Sequence, residues 1–94
     1  MYNNVSIGKE FYFKRDDVHV VAVVKNLKEF VQAIENLSED VILFHLREDR
    51  NDFEAWVKYA LDMPELAEEL AKIDKTREPT EIKSAIISIV KRHM

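Results

Sequence analysis

The sequence predicts an α+β fold, mostly helical, in which an N-terminal β-hairpin packs on four to five short amphipathic helices. Two short stretches rich in aromatic and β-branched residues come first and are typical of strands. After residue 26 the apolar residues recur at helical spacing, and a capping-type residue precedes each of the first four helical stretches. We therefore expect one domain over residues 1–94, with residues 1–8 as a loose N-terminal segment.

The predicted hairpin joins residues 9–15 to residues 18–25 through Asp16 and Asp17, whose short side chains suit a tight turn. Alternation along the second strand directs one set of side chains to one face: His19, Val21 and Val23. It directs the other set to the opposite face: Val18, Val20, Ala22 and Val24. Because both faces are apolar and a lone hairpin is marginally stable, either the helices sandwich it or a second copy of the chain extends it.

The first two helices are predicted from their capping residues. Asn26 is an N-cap with Glu29 three residues later, and the apolar spacing extends that helix to about residue 37. Ser38 is the next N-cap, followed by acidic residues that favour a helix N-terminus. Residues 41–46 are mostly β-branched and aromatic and could form a strand, but the cap and the acidic start favour a helix.

The third and fourth helices repeat this pattern. Asn51 caps the third helix, and Glu54 is placed to reach back to the cap. Asp62 with Glu65 begins the fourth helix in the same way. Pro64 is tolerated there because the first turn of a helix does not use the missing N–H group.

The last helix begins at Pro79, after a charged connector over residues 74–78. Four residues form its apolar face: Ile82, Ile86, Ile89 and Val90. Four others make it modestly basic: Lys83, Lys91, Arg92 and His93. These cations could contact phosphate or an acidic partner, but a solvated helix surface is the favoured interpretation.

The composition excludes several classes of protein. The chain has no Cys, which excludes disulfides, thiolate zinc sites, iron–sulfur clusters and a Cys nucleophile. Its formal charge is −4, which disfavours nucleic-acid binding. We expect no membrane span, and the polar start lacks a secretory signal pattern, so we expect a cytoplasmic protein. The surface composition resembles that of thermophile proteins.

His45, Asp49 and Asp52 have a spacing that would gather them on one face of a continuous helix. The N-cap at Asn51 interrupts that helix, so the spacing does not predict a metal site, and we expect no cofactor. We expect His45 to bond a backbone carbonyl or the loop between Arg47 and Asn51. A structural role accounts for Asp52 less fully than for its neighbours, since it explains only a negative charge at the start of a helix. His45 and Asp52 are therefore the only candidate catalytic residues.

The chain resembles a family of small uncharacterised domains from archaea and some bacteria. The likeness rests on the order of a hairpin, a helix, His45, residues 51–57 (Asn-Asp-Phe-Glu-Ala-Trp-Val) and residues 65–67 (Glu-Leu-Ala). It covers about residues 9–73 and leaves the C-terminal helix, residues 79–94, outside. The family often has Gly at the hairpin turn, where this chain has two Asp residues. The resemblance supports the fold and implies no activity.

The sequence therefore favours a non-enzymatic protein–protein interaction module, with a protein partner or a second copy of the chain bound through the hairpin as a homodimer. The interface candidates are His19, Val21 and Val23, because they lie together on an apolar strand. A small hydrolase or metal-dependent enzyme using His45 and Asp52 is the alternative. Nucleic-acid binding through the basic C-terminal helix is a weaker one.

Overall fold

A computed structural model describes residues 4–47 and 49–94 of the chain. Within these residues the strands are β1 (Phe11–Lys14), β2 (Val20–Val24), β3 (Leu46–Arg47) and β4 (Arg50–Asn51). The helices are α1 (Leu27–Asn36), α2 (Glu39–His45), α3 (Asp52–Tyr59), α4 (Pro64–Ala71) and α5 (Pro79–Arg92). This order confirms the predicted α+β class, with an N-terminal hairpin and five helices. None of the described helices combines the length and apolar character that crossing a membrane requires.

The predicted hairpin is confirmed as the antiparallel pair β1–β2, but its side chains do not alternate strictly. Phe11 pairs with Val24 and Phe13 with Ala22, and then a bulge shifts the register so that Lys14 pairs with Val20. The extra residue bends the strand and increases its twist. Because the bulge breaks the alternation, the prediction that Val20 and Val23 face opposite sides does not hold. Both side chains are about half exposed.

The turn of the hairpin is wider than the predicted two residues. The Oδ1 atom of Asp16 accepts hydrogen bonds from the backbone N–H groups of Val18 and His19, each at 2.9 Å. These bonds, with the one to the His19 ring, lower the pKa of the Asp16 carboxyl to about 2. Asp16 therefore holds the loop in place by accepting hydrogen bonds from its backbone, and its carboxyl keeps its negative charge at neutral pH.

The inner face of the hairpin packs on the helices around one aromatic cluster. The rings of Phe11 and Phe13 lie 4.8 Å apart, and Phe30 of α1 and Phe53 of α3 lie within about 6 Å of Phe13. Edge-on and tilted ring contacts of this kind stabilise a core beyond the area they bury. The remaining buried residues come from all five helices, from Val24 of β2 and from Leu46 of β3, so one hydrophobic core extends through the described residues.

The predicted N-caps of α1 and α3 are confirmed. The side-chain oxygen of Asn26 accepts from the Glu29 N–H at 2.8 Å, and that of Asn51 accepts from the Glu54 N–H at 3.0 Å. Ser38 occupies the N-cap position of α2 but makes no side-chain capping bond. The helical interpretation of residues 41–46 is confirmed up to His45, after which Leu46 begins β3.

The predicted cap of α4 is wrong. Met63 is the N-cap, while Asp62 has a positive φ of 55°. The Met63 N–H donates to the Val57 carbonyl at 3.1 Å, six residues back, and this bond closes the turn that contains the left-handed Asp62. Asp62 therefore lies in the left-handed turn between α3 and α4 instead of capping α4, and the sequence pattern does not distinguish these roles because Asp suits both positions.

The sequence did not predict the short pair of strands β3 and β4. Leu46 pairs with Asn51 and Arg47 pairs with Arg50, which turns the chain sharply between α2 and α3. The Nζ atom of Lys75, in the connector before α5, donates to the carbonyl oxygens of Arg47 and Arg50. This cation satisfies two outward-facing carbonyls and joins the turn to the C-terminal part of the chain.

Candidate functional site

His45 is the last residue of α2 and is only 3% exposed. Its ring lies among aromatic side chains, 5.0 Å from the ring of Phe11, 6.0 Å from that of Phe13 and 5.6 Å from that of Phe53. The three Phe residues come from β1 and α3, so the ring sits where the hairpin meets the helices. A polar ring in such surroundings needs hydrogen bonds on both nitrogens.

Both ring nitrogens of His45 have partners. Nε2 accepts a hydrogen bond from the backbone N–H of Lys14 at 2.8 Å, so this nitrogen carries no proton. Nδ1 lies 2.8 Å from Oδ2 of Asp52 and donates its proton to that carboxylate. The prediction that His45 is a satisfied structural residue fits this geometry, but its partners are an N–H group of β1 and Asp52 instead of a carbonyl.

This arrangement requires a neutral ring. Burial lowers the pKa of His45 below its ordinary value of 6.5, while the hydrogen bond and negative charge of Asp52 oppose that shift. The positive charges of Arg50 and Lys14 act in the same direction as burial. Protonation of Nε2 would also place an N–H group against the Lys14 N–H group and break that hydrogen bond.

The stability of the domain is therefore expected to fall on acidification below the unfolded-state pKa of His45, near 6.5. A lowered folded-state pKa means that the unfolded chain binds the proton more readily, so the contribution of this ring is complete above that pH and is lost below it. Urea unfolding at pH 7.5 and pH 5.5 measures the effect. In His45→Gln the decrease should be smaller than in the original chain, and an equal decrease would show that other groups cause it.

Asp52 lies at the first position of α3, and its side chain is one-third exposed. Its Oδ1 atom lies 3.4 Å from Nε of Arg50, so the carboxylate contacts the His45 ring with one oxygen and Arg50 with the other. A cleft of about 250 Å³ opens beside this pair, with Tyr12 and Lys14 on its other side. The two candidate catalytic residues are thus in contact next to a small cleft.

The chemistry open to this pair is limited. The Nε2 lone pair of His45 is occupied by Lys14 N–H, so the ring has no free nitrogen for a metal ion or a substrate proton. Asp49 is exposed in the turn between β3 and β4. Within residues 4–47 and 49–94, no three His, Asp or Glu side chains are grouped as a metal site would require.

The residues that follow His45 also hold elements together. Asn51 caps α3 and donates from Nδ2 to the carbonyl of Leu70 at 3.1 Å, near the end of α4. The indole N–H of Trp56 donates to the carbonyl of Lys9 at 2.7 Å, just before β1. The sequence motif from His45 to Trp56 therefore joins the hairpin to α2 and to α3, and α3 to α4, a role that its spacing alone does not show.

The outer side of the hairpin carries large apolar side chains that the helices do not cover. Tyr12 and Val23 pair across the strands and are 46% and 48% exposed, Val20 is 48% exposed, and Val18 in the turn is 80% exposed. We call these four residues the hairpin outer surface. Tyr12 and Val20 were not among the sequence candidates, because the register and the bulge that expose them are long-range features.

The three interface candidates lie in different environments. Val23 belongs to the hairpin outer surface, whereas Val21 is only partly exposed and packs against the core. His19 is exposed, and its Nδ1 atom lies 2.9 Å from both carboxylate oxygens of Asp16. Val23 is therefore the candidate that is best placed to contact another protein.

The basic residues of α5 are already engaged. Lys91 pairs with Glu35 at 3.1 Å, and Arg92 and His93 both contact Glu69. Lys83 donates from Nζ to the carbonyl of Leu37 at 2.9 Å. These contacts attach α5 to α1 and α4, and each of the four basic residues has a partner on another element.

A depression of about 810 Å³ lies between α4 and α5. Its floor includes Ile73 and Ile89, and its rim carries the ion pairs Arg92–Glu69 and Arg77–Glu81. Because the rim charges of both signs pair with each other, the groove presents no single charge that would select a ligand. No sequence pattern indicated this groove, since its walls come from two helices and a connector.

A family model described as a family of unknown function (DUF5752) matches residues 1–91. The match extends beyond the segment on which the sequence resemblance rests and includes most of α5. No curated protein and no solved structure matches the chain.

Proposed function

The chain belongs to DUF5752, a family of unknown function, and we propose from its geometry that it is a protein-interaction module that docks through the N-terminal hairpin. One observation carries this proposal. Seven large apolar residues are exposed among the described ones, and four of them form the hairpin outer surface. Contiguous exposed apolar residues on a small domain are typical of protein-binding sites.

The architecture supports this choice of surface. The helices cover the inner face of the hairpin, where Phe11, Phe13 and Val24 are buried, and no described element covers the outer side. The bonds from Lys14 N–H to His45 and from Trp56 to the Lys9 carbonyl hold β1 firmly on the helices. A surface held in place before binding loses less conformational entropy when a partner docks.

A second copy of the chain is the first partner to test. We expect the purified protein to form a dimer whose fraction rises with concentration, and we expect Val23→Lys to raise its dissociation constant at least tenfold, because binding would then bury a charge on an apolar surface. Val23 is half exposed, so the substitution should leave the fold intact. Sedimentation equilibrium over a wide concentration range measures both quantities.

Tyr59→Lys is the matched control, since it places the same charge on an exposed apolar residue of α3, away from the hairpin outer surface. It should leave the dissociation constant unchanged. A strict monomer at high concentration would remove self-association, and equal effects of the two substitutions would remove the hairpin as the docking surface.

An enzyme that uses His45 and Asp52 is the second candidate, favoured by their contact at 2.8 Å beside a cleft. It requires the ring to release the Lys14 N–H group before Nε2 can act. The His45 ring signals in an NMR spectrum, followed during addition of Zn²⁺, test this candidate. A specific, saturable shift of those signals would support it, and unchanged signals would count against it.

A further inference from the structure

We propose that His45 is a pH-sensitive latch, which holds the tip of the N-terminal hairpin on the helices while its ring is neutral and releases the tip when the ring is protonated. We call residues 14–20 the hairpin tip, which runs from the last residue of β1 through the turn to the first residue of β2. The latch operates within one chain and does not depend on the proposed function, although Val18 and Val20 of the hairpin outer surface lie in the tip.

The hairpin tip is attached to the helices more weakly than the base of the hairpin. At the base, Phe11, Phe13 and Val24 are buried in the core. In the tip, residues 15–20 are all exposed and Lys14 is only partly buried. Among the described residues, one hydrogen bond joins the tip to a helix, since the Lys14 N–H donates to Nε2 of His45 at 2.8 Å. The attachment of the tip therefore depends largely on this bond.

The tip is also able to move as one piece. A bulge between Phe13 and Lys14 disrupts the ladder where the tip begins, and strands bend at such bulges. Within the tip, Arg15 N–H donates to the His19 carbonyl at 2.9 Å, and Asp16 accepts from two backbone N–H groups. The pKa of Asp16 is about 2, so its bonds persist in mild acid. The tip can therefore leave the helices without losing its own turn.

Protonation affects the two partners of the His45 ring in opposite ways. Nε2 accepts from Lys14 N–H, so a proton on Nε2 places two N–H groups against each other and breaks that bond. Nδ1 already donates to Oδ2 of Asp52, and this bond becomes charge-assisted when the ring is positive. The protonated ring therefore stays on α3 and releases β1. The cleft that His45 and Lys14 both line gives water access to Nε2 once Lys14 moves away.

The charges around the ring set the direction of the switch. Burial is the largest influence and lowers the pKa of His45, Asp52 of α3 opposes that shift, and Arg50 of β4 and Lys14 of β1 add to it. Release of the tip removes part of the burial and moves Lys14 away. The ring therefore binds a proton more readily in the released form than in the attached form.

Other charged groups near α2 do not reverse this direction. Arg47 of β3 lies over an aromatic ring of α2 at 4.7 Å, and Lys83 of α5 donates to a carbonyl at the end of α1. The acidic side chains of Glu10 and Asp17 line the cleft, and any effect they have on the ring has the same direction as that of Asp52. Asp40 of α2 has a pKa below its ordinary value of 3.8, so its charge does not change where a His ring titrates.

Release of the tip is therefore linked to the uptake of one proton. Release becomes more favourable as the pH falls below the ordinary His pKa of 6.5, and it is independent of pH above that value. Because one proton is bound, the equilibrium constant for release rises by up to about tenfold for each pH unit, until the attached ring is itself protonated.

Native-state amide hydrogen exchange, followed by NMR at one low protein concentration, tests the latch. The protection of the Lys14 amide should fall about fivefold to tenfold between pH 7.5 and pH 5.5. It should not change in dilute urea, because release of the tip exposes little surface. The Ala67 amide of α4, bonded to the Met63 carbonyl at 3.0 Å, is the internal control and should lose protection in urea as the whole domain unfolds.

Two results of this experiment would overturn the latch. Equal sensitivity of the Lys14 and Ala67 amides to urea would show that only global unfolding exposes Lys14. Protection of Lys14 that is the same at both pH values would show that protonation does not release the tip.

His45→Gln removes the titrating ring but keeps an oxygen that can accept from Lys14 N–H, so the protection of Lys14 should become independent of pH. His19→Gln is the matched control, since it removes the His of the tip itself and should leave the pH dependence intact. A pH dependence that survives in His45→Gln, or that disappears in His19→Gln, would assign the switch to another group and overturn the latch.

Asp52→Asn provides a second variant that does not depend on the folding of His45→Gln. It keeps an oxygen for Nδ1–H but removes the negative charge that favours the protonated ring. Release should then need a lower pH, and the loss of Lys14 protection between pH 7.5 and pH 5.5 should shrink to less than about threefold. An undiminished loss in Asp52→Asn would overturn the assignment of the proton to the His45 ring.

Discussion

Replacement of Phe13 by Ala is expected to lower the free energy of unfolding by about 3–5 kcal/mol. Phe13 is fully buried, and its ring contacts those of Phe11, Phe30, His45 and Phe53. Its removal would leave a cavity where the hairpin meets three helices, and the surrounding elements are joined by hydrogen bonds that resist collapse. Since a domain of this size has a total stability of about 5–15 kcal/mol, the loss is large. Urea unfolding followed by Trp56 fluorescence measures it.

Tyr12→Ala is the matched control for this substitution. Tyr12 precedes Phe13 on the same strand but lies on the hairpin outer surface and is about half exposed. Its replacement should cost less than about 1 kcal/mol. If the two variants lost equal stability, the inner face of the hairpin would not be the side that packs on the core.

Replacement of His45 by Phe is expected to lower the free energy of unfolding by about 2–4 kcal/mol. Phe fills the aromatic site but leaves the Lys14 N–H group and the Asp52 carboxylate without the ring nitrogens, and each lost partner costs about 1–3 kcal/mol when the group is shielded from water. Part of the Asp52 loss is recovered because that side chain is one-third exposed and contacts Arg50. Equilibrium unfolding in urea at pH 7.5 measures the difference.

Two further variants separate hydrogen bonding from packing at this position. His45→Gln keeps a side-chain oxygen that can accept from Lys14 N–H and should lose less stability than His45→Phe. His19→Phe changes an exposed His and should cost less than about 1 kcal/mol. If His45→Phe were as stable as the original chain, the ring would contribute only its volume, and the hairpin would be held by apolar contacts alone.

The substitutions at Phe13 and His45 should both affect binding through the hairpin. Phe13 and His45 attach the inner face of the hairpin to the helices, and Trp56 holds the chain just before β1. The opposite side of the hairpin is therefore presented in one conformation. Variants that loosen the attachment should weaken any binding through the hairpin outer surface even though they do not touch that surface.

Much of the fold was predictable because it is encoded by neighbours in the chain. Asn26 and Asn51 each cap a helix through an N–H group three residues later, and that geometry depends on nothing distant. Pro79 likewise begins α5, since its fixed backbone angle and missing N–H suit the first turn. Alternating β-branched residues predicted the hairpin for the same local reason.

Prediction failed where one residue suits two local roles. Asp62 is as acceptable in the left-handed turn after α3 as at the start of α4, and the choice depends on the bond from Met63 to Val57. Val20 belongs to an alternating strand in sequence, yet the bulge opposite Lys14 exposes it together with Val23. Neither outcome follows from composition or spacing.

The sequence by itself determined the order of the hairpin and the five helices and most of the core, because periodicity and caps act over a few residues, and its lack of Cys excluded thiol chemistry. Only the tertiary structure decided what His45 does, since its partner Lys14 lies 31 residues away and Trp56 reaches Lys9 across 47 residues. The tertiary structure also decided which side of the hairpin stays exposed. A ring with two nitrogens can bond many groups, and the packing of distant elements selects among them.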